Sequence, residues 1–478
     1  MKHLSYCNPL PLPDYPRGRF SRAAHRHGNL WMRSQRRDFR ETADPSVLYH
    51  DGVWYLYPSA GMAYVSTDFV KWEHVRMEPY DIGYAPTVVR HGNLFLLTAC
   101  QAPLYSAPHP LGPWTERGPF RLPSGSAVEN WADPMLFGDD DGRLYAYWGL
   151  GGPGIFGAEL HPGHPEQLLT EPEILFAFNP AHQWERFGEV HQNPGTSYVE
   201  GPWMLKRNGI YYLTYAAPGT QFRCYGMGVY VGESPLGPFQ YQSHNPIAYD
   251  TQGLVHGPGH GCIVEGPGDT LWAFYTCLVR NEHAFERRVG LDPAWIDEHG
   301  LLRTACASET PQWAPGALAH PASGNDVGLQ PVSLNCRATA TSEAPGRDAA
   351  YANDHGMRTW WQAADDDAAP ALSIDLQGEF VLEACRILWK EPGLDYDSGV
   401  QPGPCQYRIE ISTQDDIWST ALDCTDNAID YLIDYRCFEP VAATRVRLVV
   451  SGVPPGIGVG VIDFTVFGLS ACRCMIDE

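Results

Sequence analysis

Trp131-Ala132-Asp133-Pro134-Met135-Leu136-Phe137 leads through a turn at Asp141-Gly142 into Leu144-Tyr145-Ala146-Tyr147-Trp148. Two short apolar and aromatic runs joined by an Xaa-Gly turn mark a β-hairpin, because glycine takes positive φ freely there. The same pattern occurs four more times. Ala43-Asp44-Pro45 opens onto Val47-Leu48-Tyr49, turns at Asp51-Gly52 and continues as Trp54-Tyr55-Leu56-Tyr57. Ala85-Pro86 precedes Val88-Val89, a turn at His91-Gly92 and Leu94-Phe95-Leu96-Leu97. Glu200-Gly201-Pro202 precedes Trp203-Met204-Leu205, Asn208-Gly209 and Tyr211-Tyr212-Leu213-Thr214-Tyr215. Gly259-His260-Gly261 precedes Cys262-Ile263-Val264, Gly268-Asp269 and Leu271-Trp272-Ala273-Phe274-Tyr275.

The unit starts Asp44, Pro86, Asp133, Glu200 and His260 are 42, 47, 67 and 60 residues apart, the period of propeller blades with insertions. No helical period competes in this half of the chain. The expectation is an all-β chain whose first part is a five-bladed β-propeller.

Composition narrows the function. Glycine (48) and proline (41) make about a fifth of the 478 residues, and 33 Lys and Arg against 56 Asp and Glu leave a net charge of −23. Such a surface repels nucleic acid and anionic membranes, so neither is expected as a partner. No apolar run approaches the ~20 residues of a membrane span, and Met1 to Cys7 lacks the apolar stretch of a signal peptide, so a cytoplasmic protein is expected. The 13 cysteines show neither CxxC spacing nor a zinc-type cluster and are read as reduced thiols.

In a propeller the innermost strand of each blade starts at one mouth of the central channel, so the polar residues that open the units converge there. They are Asp44, Asp133, Glu200 and His260. Three carboxyls placed together repel one another, which stability alone does not favour. Two carboxyls across a scissile bond suffice for glycoside hydrolysis, one protonating the leaving oxygen and the other activating water. Glu200 has the longer reach and an acidic neighbour in Asp133 to keep it protonated, which makes it the acid; Asp44 is then the base. Trp131 and Tyr198 are candidate faces for a sugar ring.

The segments Ala43-Asp44-Pro45, Trp131-Ala132-Asp133-Pro134 and Glu200-Gly201-Pro202, with Tyr84-Ala85-Pro86, Leu236-Gly237-Pro238-Phe239 and Gly257-Pro258-Gly259-His260-Gly261, resemble glycoside hydrolase family 43 over about residues 40 to 313. The resemblance implies an inverting enzyme with Asp44 as general base, Asp133 as pKa modulator and Glu200 as general acid. It implies an arabinose- or xylose-containing oligosaccharide as substrate and no cofactor for the chemistry. In some members a histidine lies near an axial calcium ion, which would place calcium beside His260 through water. Of the two arginines before Val289, Arg288 is ranked first as the substrate-side arginine.

The expected domains are a propeller over 1–313 with an N-terminal extension over 1–40, a linker over 314–332, and a β-sandwich over 333–478. The extension carries a Pro-rich rhythm before Tyr15 and a basic stretch from Arg33 to Arg40. Three roles are open to it: covering the mouth, forming a homo-oligomer contact, or closing the last blade. In the last part, Ala371 to Leu376, Tyr407 to Ser412 and Thr444 to Val450 alternate with period two. The segments Tyr351-Ala352-Asn353-Asp354, Thr359-Trp360-Trp361-Gln362, Ser373 to Gly378 and Ile462 to Gly468 resemble the discoidin-like fold of carbohydrate-binding module family 32 over about residues 333 to 470. Trp360 and Trp361 are read as packing residues, and Asp354 as a candidate support for structural calcium. An exo-acting α-L-arabinofuranosidase or β-xylosidase is expected, with a galactosidase, an anhydro-galactosidase or a non-catalytic glycan-binding protein as alternatives.

Overall fold

The computed structural model describes residues 4–14, 41–59, 62–77, 82–279, 285–316, 324–396, 398–414 and 417–471. The basic stretch Arg33 to Arg40 lies outside them. Five antiparallel sheets run consecutively along the chain, each a meander in sequence order. Their first strands are Ser46–His50, Thr87–His91, Met135–Gly138, Glu200–Arg207 and His256–Gly266. Each first strand touches the first strand of the next blade, and the last touches the first, so the ring closes on five blades.

Local chemistry explains each blade. The turns Asp51-Gly52 and Asn208-Gly209 hold both residues at positive φ, the geometry whose twist matches the flanking strands. The second strands, such as Val53–Tyr57 and Leu144–Trp148, are buried on both faces between neighbouring blades, which accounts for their unbroken apolar runs. Aromatic side chains fill the wedges: Trp54, Phe69, Trp72, Trp272 and Phe274 pack between the last and first blades. The outer strands Glu73–Arg76 and Thr115–Gly118 face water and are polar.

The C-terminal part is one eight-stranded antiparallel sheet folded over on itself. Ala371–Lys390 and Ile433–Gly452 are both 20 residues long, and register shifts along their pairing let each serve both layers. The core holds Trp361, Ile374, Ile387, Tyr407, Leu448 and Phe464. Trp360 lies under the guanidinium of Arg347, with Lys390 5.3 Å from its ring centre, so both tryptophans pack rather than offer a free face. The Asp354 carboxylate accepts bonds from the Gly356 N–H and the Thr359 hydroxyl.

The segment expected as a bare linker is structured wherever it is described. The Asn325 amide donates to the Trp313 carbonyl, Val327 N–H donates to Pro311, and Gln330–Pro331 adds a strand to the sandwich. The Asn325 side chain there satisfies backbone at the propeller's end. Ahead of the propeller, Ser5–Tyr6 pairs with Gln312–Trp313, and Asn8 exchanges hydrogen bonds with Leu291 in the last blade.

Candidate active site

The expected acidic residues meet at one mouth. Asp44, Ala85, Asp133, Gly201 and His260 each enter an inner strand at positive φ. This left-handed residue is the true repeat position. It corrects the register read from sequence: the second blade's equivalent is Ala85 rather than Pro86, and Glu200 stands one residue ahead of its blade's Gly201. Non-glycine residues held in this region carry backbone strain that the surroundings must overcome, a common condition of functional sites.

Asp44 is buried and clamped. The Arg287 guanidinium donates to both its oxygens at 2.9 and 3.0 Å, and the Ser59 hydroxyl donates at 2.6 Å. Burial works to raise its pKa, but Arg287, His260 and Ser59 together outweigh burial and hold the carboxyl below its ordinary value. It is therefore ionised and ready to take a proton. Glu200 is the opposite case. Burial first and the Asp133 and Asp44 charges next push it up to about 8, against a 2.6 Å hydrogen bond from the Tyr225 hydroxyl. It keeps its proton near neutrality. Asp133 is also raised, chiefly by burial, with His260 and Cys100 pulling it back. The His260 Nδ1 lies 3.4 Å from Asp44 and 3.7 Å from Asp133.

Two glycines make room for this packing. A Cβ on Gly259 would lie 2.1 Å from the Tyr225 ring, and one on Gly201 would lie 2.7 Å from His260 Cγ. Gly201→Ala is expected to cost ~1–3 kcal/mol of backbone strain and to turn His260 away from both carboxylates. Turnover should fall by about 10-fold or more. Thermal unfolding and kcat of the variant check this; wild-type values for both would show the glycine to be incidental.

Other expected positions fall differently. Arg288 does not reach the carboxyls: its guanidinium lies 3.8 Å from Asp14 and donates to the Arg287 carbonyl. Arg287 occupies the place instead, bonded to Glu41 and Thr220 as well as Asp44. Consecutive strand residues face opposite sides, and the sequence alone does not say which side is the channel. Trp131 is no sugar platform. It is buried against Phe120 and Trp148, and its indole N–H donates to Thr98. Tyr198 is 42% exposed beside Phe187 and one residue from Val199-Glu200, which leaves it available to a ligand. Tyr225, Cys100, Ser59, Glu41 and Thr220 also reach the site, and no sequence motif marks them.

The donor set does not suit a calcium ion seated on the acids. Asp133, Glu200 and His260 bring ligand atoms within 4.8 Å of one another, but calcium prefers six to eight oxygens and this group offers two carboxylates and a nitrogen. Arg287 already supplies the positive charge at Asp44.

The model of glycosyl hydrolases family 43 matches residues 22–302. The chain is 28% identical over 172 residues to the β-D-galactofuranosidase xynD of Aspergillus niger, covering 36% of this chain and 44% of that protein. It is 27% identical over 195 residues to a β-xylosidase of Xylanibacter ruminicola, covering 36% and 57%. The chain thus spans about half the length of these two curated relatives. A xylosidase/arabinosidase of Bacteroides ovatus is 25% identical over 322 residues, 55% of this chain and 94% of that one. Among solved structures, a thermostable family-43 glycoside hydrolase superposes with a TM-score of 0.50 at 22% identity over 65% of this chain and 99% of its own. A mutant of the family 43 protein BlXynB from Bacillus licheniformis gives 0.50 at 15% identity over 98% and 100%. These two structures speak for the fold.

Proposed function

The chain belongs to glycosyl hydrolase family 43, and on that premise we propose that it is an inverting, exo-acting α-L-arabinofuranosidase or β-xylosidase of plant-type oligosaccharides. The observation that carries the reading is the opposite ionisation of two buried carboxyls at one mouth, Asp44 held below its ordinary pKa and Glu200 raised to about 8. In one displacement, Asp44 takes a proton from water as that water bonds to the anomeric carbon. Glu200 gives its proton to the departing oxygen as the glycosidic bond breaks. Asp133 keeps Glu200 protonated, and Arg287 orients Asp44. The xylosidase and arabinosidase names of the relatives support the sugar class. A second reading, a galactofuranoside substrate, is favoured by the Aspergillus niger relative.

The eleven described cysteines are all free, which supports a reducing compartment. Calcium, if it acts here, is proposed to do so through water at His260 rather than on the acids.

The test is turnover of arabinofuranosides, xylosides and galactofuranosides, with the first-formed anomer followed by proton NMR. Inversion is expected; retention would refute the single displacement. The kcat/KM profile should be bell-shaped. Asp44 must be ionised to take a proton and Asp133 must be ionised to hold the Glu200 proton, so activity falls as pH drops through the raised pKa of Asp133 and then the lowered one of Asp44. Glu200 must be protonated, so activity falls as pH rises through about 8. A basic limb far below 8 would remove Glu200 from the acid role. Glycan binding without turnover of any substrate would instead favour a non-catalytic binding protein.

A further inference from the structure

Cys100 is a half-buried residue in the turn two residues beyond the second blade's strand Leu94–Thr98, and its sulfur enters the carboxyl cluster. The thiol lies 3.0 Å from Asp133 Oδ1 and accepts the Asp133 backbone N–H at 3.1 Å. By contrast, Cys224 and Cys277 point at backbone carbonyls. We propose that Cys100 is a positioning residue that holds Asp133, and through it the proton of Glu200, by donating its S–H to the Asp133 carboxylate; this rests on the glycosidase reading of the site.

Three observations support it. First, Asp133 sits at φ 46, a strained conformation that needs its N–H and carboxylate fixed from outside, and Cys100 meets both. Second, the loop that carries Cys100 is sewn to the Asp133 segment on either side. Trp131 donates its indole N–H to Thr98 at 3.2 Å, and Gln101 N–H donates to the Trp131 carbonyl at 2.7 Å. The buried Trp131 therefore anchors the thiol. Third, burial and the Asp133 charge push the Cys100 thiol well above its ordinary pKa, so it stays a donor across the working pH range. The groups facing Asp133 are Cys100, His260 at 3.7 Å, Glu200, Asp44 and, at longer range, Arg287. Of these described groups Cys100 is the one whose side chain donates a hydrogen bond to an Asp133 oxygen, at 3.0 Å.

The experiment compares Cys100→Ala with Cys100→Ser, which keeps a donor. On a xylose or arabinose disaccharide, Cys100→Ala should lose about 10-fold or more in kcat with KM within about 3-fold. Its acid limb should move to higher pH, because Asp133 without the thiol ionises later. Cys100→Ser should recover most of both. Wild-type kinetics in Cys100→Ala, or a serine variant as poor as the alanine one, overturns the proposal. A second readout needs no turnover: the rate of Cys100 alkylation by iodoacetamide, followed by peptide mass spectrometry, in the wild type and in Asp133→Asn. Removing the carboxylate should speed the reaction by about 10-fold at mildly alkaline pH, because the thiol then loses the neighbouring negative charge that opposes its ionisation. Equal rates deny the contact even if the protein hydrolyses glycosides, whereas faster alkylation in a protein that turns over nothing separates a failed glycosidase reading from a sound contact.

Discussion

Glu200→Gln is expected to cut turnover of an unactivated disaccharide by about 10²- to 10⁴-fold while sparing much of the activity on an aryl glycoside, whereas Asp44→Asn should lose both by a similar factor. The asymmetry follows from the roles. A sugar leaving group must receive a proton as the bond breaks, and Glu200 is the buried carboxyl that still holds one at neutrality, raised to about 8. A good aryl leaving group departs with little protonation, so the loss of the acid is felt less. Water must be deprotonated whatever the leaving group, and that falls to Asp44. The amide at 44 also leaves Arg287 facing a neutral partner in a buried site, which should misplace the guanidinium. The basic limb near pH 8 should vanish in Glu200→Gln. Equal losses on both substrate types in both variants would sink the division of labour, even if both carboxyls proved essential.

The three carboxyls were readable because each opens a repeat and the repeat dictates convergence at the channel. What periodicity could not supply was side-chain direction. Arg287 and Arg288 look alike in sequence, yet one strand alternation sends Arg287 to Asp44 and Arg288 towards Asp14. Trp131 precedes Asp133 by two residues and reads as a platform, but it lies ahead of the inner strand Met135–Gly138 and stacks on Phe120 in the wedge between blades. Tyr225 and Cys100 reach the site from elements whose local sequence shows no pattern, so only tertiary contact reveals them. Sequence places the repeat register one residue off at Ala85 and Glu200, since Pro follows the left-handed residue in four blades and hides where each inner strand begins.

Arg386→Met is expected to destabilise the protein by about 3–5 kcal/mol, because it removes one partner of a buried ion pair and leaves the other. Arg386 extends from the sandwich strand Ala371–Lys390 and is 3% exposed; its partner Asp463, 3.2 Å away, is 1% exposed. Its other nitrogen donates to the Asn8 carbonyl at 2.8 Å and the Glu309 carbonyl at 3.3 Å. One guanidinium therefore ties together the sandwich, the N-terminal segment and the end of the propeller. A second tie runs alongside, from His355 in the sandwich to Glu309 at 2.7 Å. Unfolding followed by calorimetry and by denaturant should show the first transition move to lower temperature and lower denaturant. Adding Asp463→Leu should restore part of the loss by removing the stranded charge, but not all of it, since the carbonyls of Asn8 and Glu309 still lack their donor. The tie also bears on catalysis. Asn8 is bonded to Leu291, and Leu10 N–H donates to Val289, on the strand whose first residue is Arg287. If the sandwich steadies that strand through the N-terminal segment, Arg386→Met should also weaken the seat of Arg287 on Asp44, and activity should be lost at a lower temperature than in the wild type. An unchanged first transition would mean that the two bodies fold and hold together without this residue.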